Sequence, residues 1–450
     1  MKNNKTLIIV AVILLNVLVM YMIGQSLMGK TSEYDMTLEE ARNYAQQELC
    51  AKSIEKYNEA LMTKDSIDIR LEMIAVYEKG IDIGEFTNTY EIFSSVKSMV
   101  EKYRTEPRAY EEACAMFLKY GMYQECADIL MQSRDFNVTS EKIEEYREQV
   151  RFQYTKYFAM YTDVLPMYDN MYRAQTEDGY VFLNNEGSPD IKGNFTEASS
   201  FSNGYAFVKA PHPDGTDKSF LINKDGERQV YFEGVESSSG VGKAQDKDGN
   251  TIYLLSCKVG DMYKYFDING KEVFGEYKFA GRFRNNVAAV MEADGSWKLI
   301  NGTGAYVSDE VFSGIVLNEF DECAAKGFIF AAKDGKYSMY DHNMTRIGEF
   351  VCDDAKAFQS DYAAFKSGDL WGYVDTKGEV IIEPQYEDAK SFLGGMAAVK
   401  LPDGWSFINA DNEIVVSEVF EDAGYLTENG ICFVKEDGYW SYLKMYYTEK

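Results

Sequence analysis

An aromatic residue heading a short β run recurs along the C-terminal two thirds of this chain. Tyr263, Trp297, Tyr337, Trp371, Trp405 and Trp440 open the strings YKYFD, WKLIN, YSMYD, WGYVD, WSFIN and WSYLK. Their spacings are 34, 40, 34, 34 and 35 residues. Weaker copies begin at Tyr180 and Ser219. Before most of them stands an Asp-Gly turn, the strongest short-range hairpin signal between alternating apolar residues. A unit of about 35 residues holds three or four strands, too few to bury a core alone, so neighbouring units must supply it. Closing the units into a ring also protects sheet edges from unwanted pairing. Seven full intervals separate Tyr180 from Trp440, and a last strand, WSYLKM, finishes the series. That strand is useful in a ring if it pairs with the first unit near Tyr180. The expectation for residues 165–450 is therefore a β-propeller-like ring of about seven blades, with an open β solenoid as the alternative.

A third common element reads F-x-x-G-x-A-x-V, as in FSNGYAFVK (201–209) and FLGGMAAVK (392–400), where small residues allow a neighbouring sheet to approach. Together with WGYVDTKGEVIIEPQYEDAKSF from Trp371 to Phe392, these strings resemble the WG (KWG) repeat family of bacterial surface proteins. The resemblance covers roughly 165–447 and is weakest over 219–262. Only one copy keeps the literal Trp-Gly. Exchange of Trp for Tyr suits an aromatic wedged between units better than a ligand contact. Tyr180, Tyr263, Trp297, Tyr337, Trp371, Trp405 and Trp440 are accordingly read as structural repeat aromatics.

Residues 31–164 read as helical hairpins. Thr37-x-x-Glu40 has the form of a capping box, Gly80, Gly84 and Gly121 fall between amphipathic segments, and Pro107 stands where a helix begins. The last segment is expected over 139–161. Around Gly121, the placement of Ala113, Leu118, Tyr123, Glu125, Ala127 and Leu130 resembles a tetratricopeptide repeat, which implies partner binding and no chemistry.

Residues 1–30 carry Lys2 and Lys5 before an almost uncharged apolar run, Leu7 to Gly29. About 20 such residues cross a bilayer as a helix, and positive charge ahead of the run keeps the N-terminus in the cytoplasm. A single-pass membrane anchor is expected, with the bulk of the chain extracytoplasmic; secretion after signal cleavage is the alternative. The balance of 46 Lys plus Arg against 73 Asp plus Glu, net −27, lacks the basic footprint that nucleic acid requires. Seven cysteines follow no regular spacing and read as small core residues, with Cys114 and Cys126 the pair nearest in sequence.

No catalytic residue and no cofactor is expected. Two histidines, His212 and His342, cannot build a His-Glu-x-x-His zinc site, and nucleophile-elbow and phosphate-loop strings are missing from the sequence. The nearest approach to a metal site is Asp246, Asp248 and Asn250, which alternate as calcium ligands do; its Gly falls too early, and a plain hairpin turn explains the string. The expected function is a non-enzymatic, membrane-anchored binding or scaffold protein whose partner is a protein or a cell-envelope ligand. The alternative is an envelope hydrolase with a glycosidase-like carboxylate pair, or an accessory subunit of an envelope enzyme system.

Overall fold

The structure, a computed structural model, describes residues 33–446. Two compact units meet between Arg151 and Phe152, ahead of the expected boundary at 164/165. The anchor expected over 1–30 lies outside the described residues; among those described, no helix is long and apolar enough to cross a membrane.

Among the described residues the first unit contains seven helices: α1 (33–46), α2 (Cys50–Thr63), α3 (Ile67–Asp82), α4 (Tyr90–Lys102), α5 (Pro107–Lys119), α6 (Tyr123–Asp135) and α7 (Glu141–Val150). From α2 onward each packs on the next, and α5 also meets α7. Pro107 occupies the first turn of α5, and Gly121, at φ 68°, ends it. Ala113, Cys114, Cys126 and Ala127 are fully buried where α5 and α6 touch. The capping box is not formed. Helix is already running at residue 33, and the Thr37 hydroxyl donates to the Glu33 carbonyl at 2.9 Å instead. Real caps stand at Ser66 and Ser140, whose hydroxyls accept from Ile69 N and Ile143 N. All seven cysteines are buried free thiols.

The second unit is a closed ring of eight sheets, beginning at Asp163, Glu197, Ser237, Phe279, Gly314, Asp354, Asp388 and Asp422. These are blades one to eight. Blade six shows the plan: Asp354–Ala355, Tyr362–Ser367, Leu370–Asp375 and Val380–Tyr386, hydrogen-bonded in chain order. Blade four has three regular strands, with its fourth edge reduced to the bridges Trp297–Phe312 and Ile300–Tyr306. The first strand of every blade except three and eight has two residues, which is how a 34-residue period accommodates a blade.

The count and the closure both correct the expectation. Eight slots, Tyr180 to Trp440 with Ser219 included, each fall within the first three residues of a blade's third strand, so seven intervals mark eight blades. The last blade is completed from before the repeats. Tyr154–Tyr161, expected as the end of a helix, is an extended strand pairing antiparallel with Tyr439–Met445, from Tyr154–Met445 to Tyr161–Trp440. Its load of Tyr and Phe suits a strand better than a helix. Hence the closing partner is Tyr154–Tyr161 and not the strand at Tyr180. The open solenoid is excluded: Tyr172, Ala174 and Leu183 of blade one share a core with Ile431 and Phe433 of blade eight. Across that seam the Tyr172 hydroxyl lies 2.6 Å from Thr427 Oγ1 and donates to Asn429 Oδ1 at 2.7 Å.

Local turn chemistry fits each hairpin. Between second and third strands, Asp334-Gly335 and Asp437-Gly438 have both residues at positive φ, as a type I′ turn requires. Between third and fourth strands, Asp267, Asp341 and Asp375 each accept from the backbone two and four residues on. Ala288, Ala289, Ala363, Ala364, Ala397 and Ala398 of the second strands are at most 2 % exposed, so sheets approach closely there.

Candidate ligand-binding cavity

The loops joining first to second strands converge on one fully buried cation. Arg282, at 0 % exposure, follows the inner strand of blade four. Its Nε donates to Glu322 Oε1 of blade five at 3.0 Å, and Nη1 donates to Ser200 Oγ of blade two at 3.1 Å. Nη1 also reaches the Ser239 carbonyl of blade three at 3.4 Å. Nη2 comes within 3.0 Å of the same Glu322 oxygen without the alignment of a hydrogen bond. The guanidinium lies 4.3 Å from the ring centre of Tyr168, in blade one, and 5.1 Å from that of Phe320. Side chains of four blades and a backbone carbonyl of a fifth meet here, at the axis of the ring. Glu322 is held in turn by the Tyr168 hydroxyl at 2.8 Å and Asn318 Nδ2 at 3.1 Å. A lone guanidinium in such a place would be prohibitively costly; a hydrogen-bonded carboxylate offsets that cost. Burial lifts the neighbouring Asp321 carboxyl, against the opposing pull of Arg282, and pushes the Tyr168 phenol up to about 12.

Beside this hub, on the same face, lies an open cavity of about 1050 Å³. Arg284, two residues beyond Arg282, donates to the Tyr168 hydroxyl at 2.5 Å and links hub to cavity. The turns that build the wall use consecutive left-handed residues: Asn203 and Gly204 in blade two, Asn285 and Asn286 in blade four. Asn tolerates that backbone well, so the need for a tight turn also places amides along the wall. Each amide spends one end on a neighbouring blade. Asn203 Nδ2 donates to the Val241 carbonyl at 2.8 Å, and Asn285 Nδ2 to the Ala324 carbonyl at 2.7 Å. Asn286 Oδ1 accepts from Gln245 N at 2.8 Å. Lys243, Gln245, Thr251, Asn301, Tyr306, His342 and Asn343 add to the polar lining, and among the described residues no Asp or Glu lines the cavity.

The repeat aromatics lie elsewhere. Trp371, 5 % exposed, belongs to a core shared by blades six and seven, and Trp405, 8 % exposed, to one shared by blades seven and eight. Tyr180, Tyr263, Trp297, Tyr337 and Trp440 are partly buried against the corresponding cores. None of these seven reaches the cavity. Nor are the calcium-like residues assembled. Asp246 Oδ1 accepts from Asp248 N and Asn250 N, both at 2.9 Å, and its oxygens also take the Asn250 amide at 3.1 and 3.3 Å. That carboxylate closes a turn, and among the described residues no cluster of three potential metal ligands exists.

Arg282, Glu322 and the wall amides escaped the sequence reading, yet one signal was present. In the strings before the conserved Phe, small residues Ser200, Ala357 and Ser391 occupy the position that Arg282 takes in blade four.

The ring with its one-sided polar cavity defines a β-propeller with a candidate ligand site. The family model described as "WG containing repeat" matches residues 182–210, 265–297, 371–404 and 405–440, four stretches of the propeller. The matches at 182, 265, 371 and 405 begin in third strands and run into the next blade, so each of these units ties two blades together. No curated protein sequence matches the chain. Among solved structures, it is similar to the β-propeller domain of Cps50 (Swd1) from Myceliophteria thermophila, at 10 % identity and a TM-score of 0.33, over 57 % of this chain and 98 % of that one. It is also similar to the WD40 domain of SCAP from fission yeast, at 8 % identity and a TM-score of 0.41, over 65 % and 96 %. Likeness at these scores carries nothing about function.

Proposed function

We propose that the protein is a non-enzymatic, membrane-anchored binding protein of the cell envelope, and that the cavity beside the hub receives its ligand. The observation behind this reading is the cavity itself: a polar recess, fixed on a rigid ring, lined by amides, phenols and cations. Acid-base hydrolysis of a glycoside needs a pair of carboxyl groups flanking the bond, and the lining holds none, which favours binding over turnover. A photo-crosslinking side chain at Asn343, on the cavity rim, should capture an envelope component; the same group at the exposed Val351, on an outer strand, should not. Equal capture at both positions, or none at Asn343, would defeat the reading. The export part rests on Lys2, Lys5 and the apolar run after them. Protease added to intact, wall-stripped cells should digest the β domain, and full protection would place it inside.

A further inference from the structure

The cavity departs from the electrostatics of the chain that builds it. Asp and Glu make up 73 of 450 residues, about one in six, and the net charge is −27. Yet the cavity wall carries Lys243, Arg284 and His342 without a single carboxylate. Neither Lys243 nor Arg284 is ion-paired; Arg284 makes a neutral contact with the Tyr168 hydroxyl. Acids beside the lining make other bonds: Asp169 accepts from Gly204 N at 2.6 Å and from Lys224 Nζ at 2.7 Å. Asp246 and Asp341 accept from their own turn amides. Glu292 takes the Tyr306 hydroxyl at 2.8 Å, and Glu322 is spent on Arg282. A locally cationic recess in an acidic protein attracts anions, while the surrounding charge repels polyanions of high density.

A bare anion would leave most of about 1050 Å³ empty. The free ends of the wall amides, Oδ1 of Asn203 and Asn285 and Nδ2 of Asn286, offer both acceptors and donors, the complement of hydroxyl groups that donate and accept. Apolar anchoring is limited to the Tyr306 ring and Val307, because Ala244, Phe283 and Val287 are at most 4 % exposed. That disfavours an acidic peptide, which needs side-chain pockets or a free strand edge.

We propose that this cavity takes a saccharide bearing a carboxylate or phosphate group, its hydroxyls held by the Asn and Gln amides and its anion by Lys243 and Arg284. The inference rests on the cavity being the binding site proposed above. The test applies the full chain, in detergent, to an array of paired glycans. Uronic-acid oligosaccharides stand beside their methyl esters, phosphorylated oligosaccharides beside their dephosphorylated forms, with acidic peptides as a separate set. Acidic glycans should bind at least about tenfold more tightly than their neutral partners, the effect of one charge-assisted hydrogen bond or more. Lys243→Gln with Arg284→Gln should remove that preference. Both residues are exposed, and unchanged tryptophan fluorescence would confirm folding. Which anionic set binds identifies carboxylate or phosphate as the group. Charge-independent glycan binding that is lost with Asn286→Ala would overturn the anion assignment and leave the binding face standing. Preferential binding of acidic peptides, or glycan binding indifferent to every cavity variant, would overturn the inference outright. Binding of no glycan would overturn it too, and crosslinking from Asn343 would then show separately whether the face binds anything.

Discussion

Replacing Arg282 by Ala is expected to destabilise the β domain by about 3–5 kcal/mol, the range for removing one partner of a buried ion pair. Glu322, 1 % exposed, would keep its bonds from Tyr168 and Asn318 but lose the charge that offsets its burial. The space vacated lies against Tyr168 and Phe320, whose rings meet edge to face at 4.8 Å, so the loops of blades one and five lose their shared support. All four tryptophans, Trp297, Trp371, Trp405 and Trp440, lie in the propeller, so denaturation followed by tryptophan fluorescence reports on this unit alone. A control separates charge from shape. Arg282→Met combined with Glu322→Leu fills the space with apolar groups of similar volume and should recover most of the loss. If Arg282→Ala unfolds at the parental denaturant midpoint, the pair carries no structural role at the axis.

Much of this architecture was legible because turn chemistry and period act locally. Asp-Gly pairs announce hairpins at Asp334 and Asp437, where both residues hold positive φ. The slot aromatics mark third strands with constant phase, because a side chain wedged between blades must recur once per blade. What could not be read depends on contacts distant in sequence. Tyr154–Tyr161 becomes a strand only because Tyr439–Met445, nearly 300 residues later, offers it an edge. Before that partner is known, Glu141 to Tyr161 reads as one amphipathic helix. Miscounting the blades has the same origin, since the eighth lacks its outer strand until the chain's two ends of the domain are joined. The cavity was hidden for another reason. Its amides sit in turns where Asn is already explained by backbone conformation, and convergence of Asn203, Asn286, Asn301 and Asn343 from three blades has no period to betray it. Arg282 replaces a small residue of other repeats, but its partner Glu322 lies 40 residues away in the next blade, and no local pattern joins the two.

Deleting residues 439–450 is expected to open the ring and to loosen its first blade as well as its last. The deletion removes the strand that joins Ile431–Glu436 to Tyr154–Tyr161. Two strand edges are exposed together, and Tyr154–Tyr161 is left without a neighbour in its sheet. Leu443 and Met445, at 0 % and 3 % exposure, leave the core between blades seven and eight. Core deletions of this kind cost about 2–5 kcal/mol each. On the other side of the seam, Tyr172 in blade one depends on Thr427, Asn429 and Phe433, and blade eight can no longer hold these in place. The loss therefore travels in both directions around the ring, whereas an array in which each unit leans only on its neighbours would confine it to the C-terminal end. Amide hydrogen exchange on the truncated chain reads the difference. Protection should fall by about tenfold or more, or about 1.4 kcal/mol, at Val181–Leu183 in blade one and at Phe407 in blade seven. The hairpin at 328–341, in blade five, should change least, being farthest from the cut on both sides. If Val181–Leu183 keep their protection while Phe407 loses it, blades one and eight do not depend on each other, and the seam is a contact without the energetics of closure.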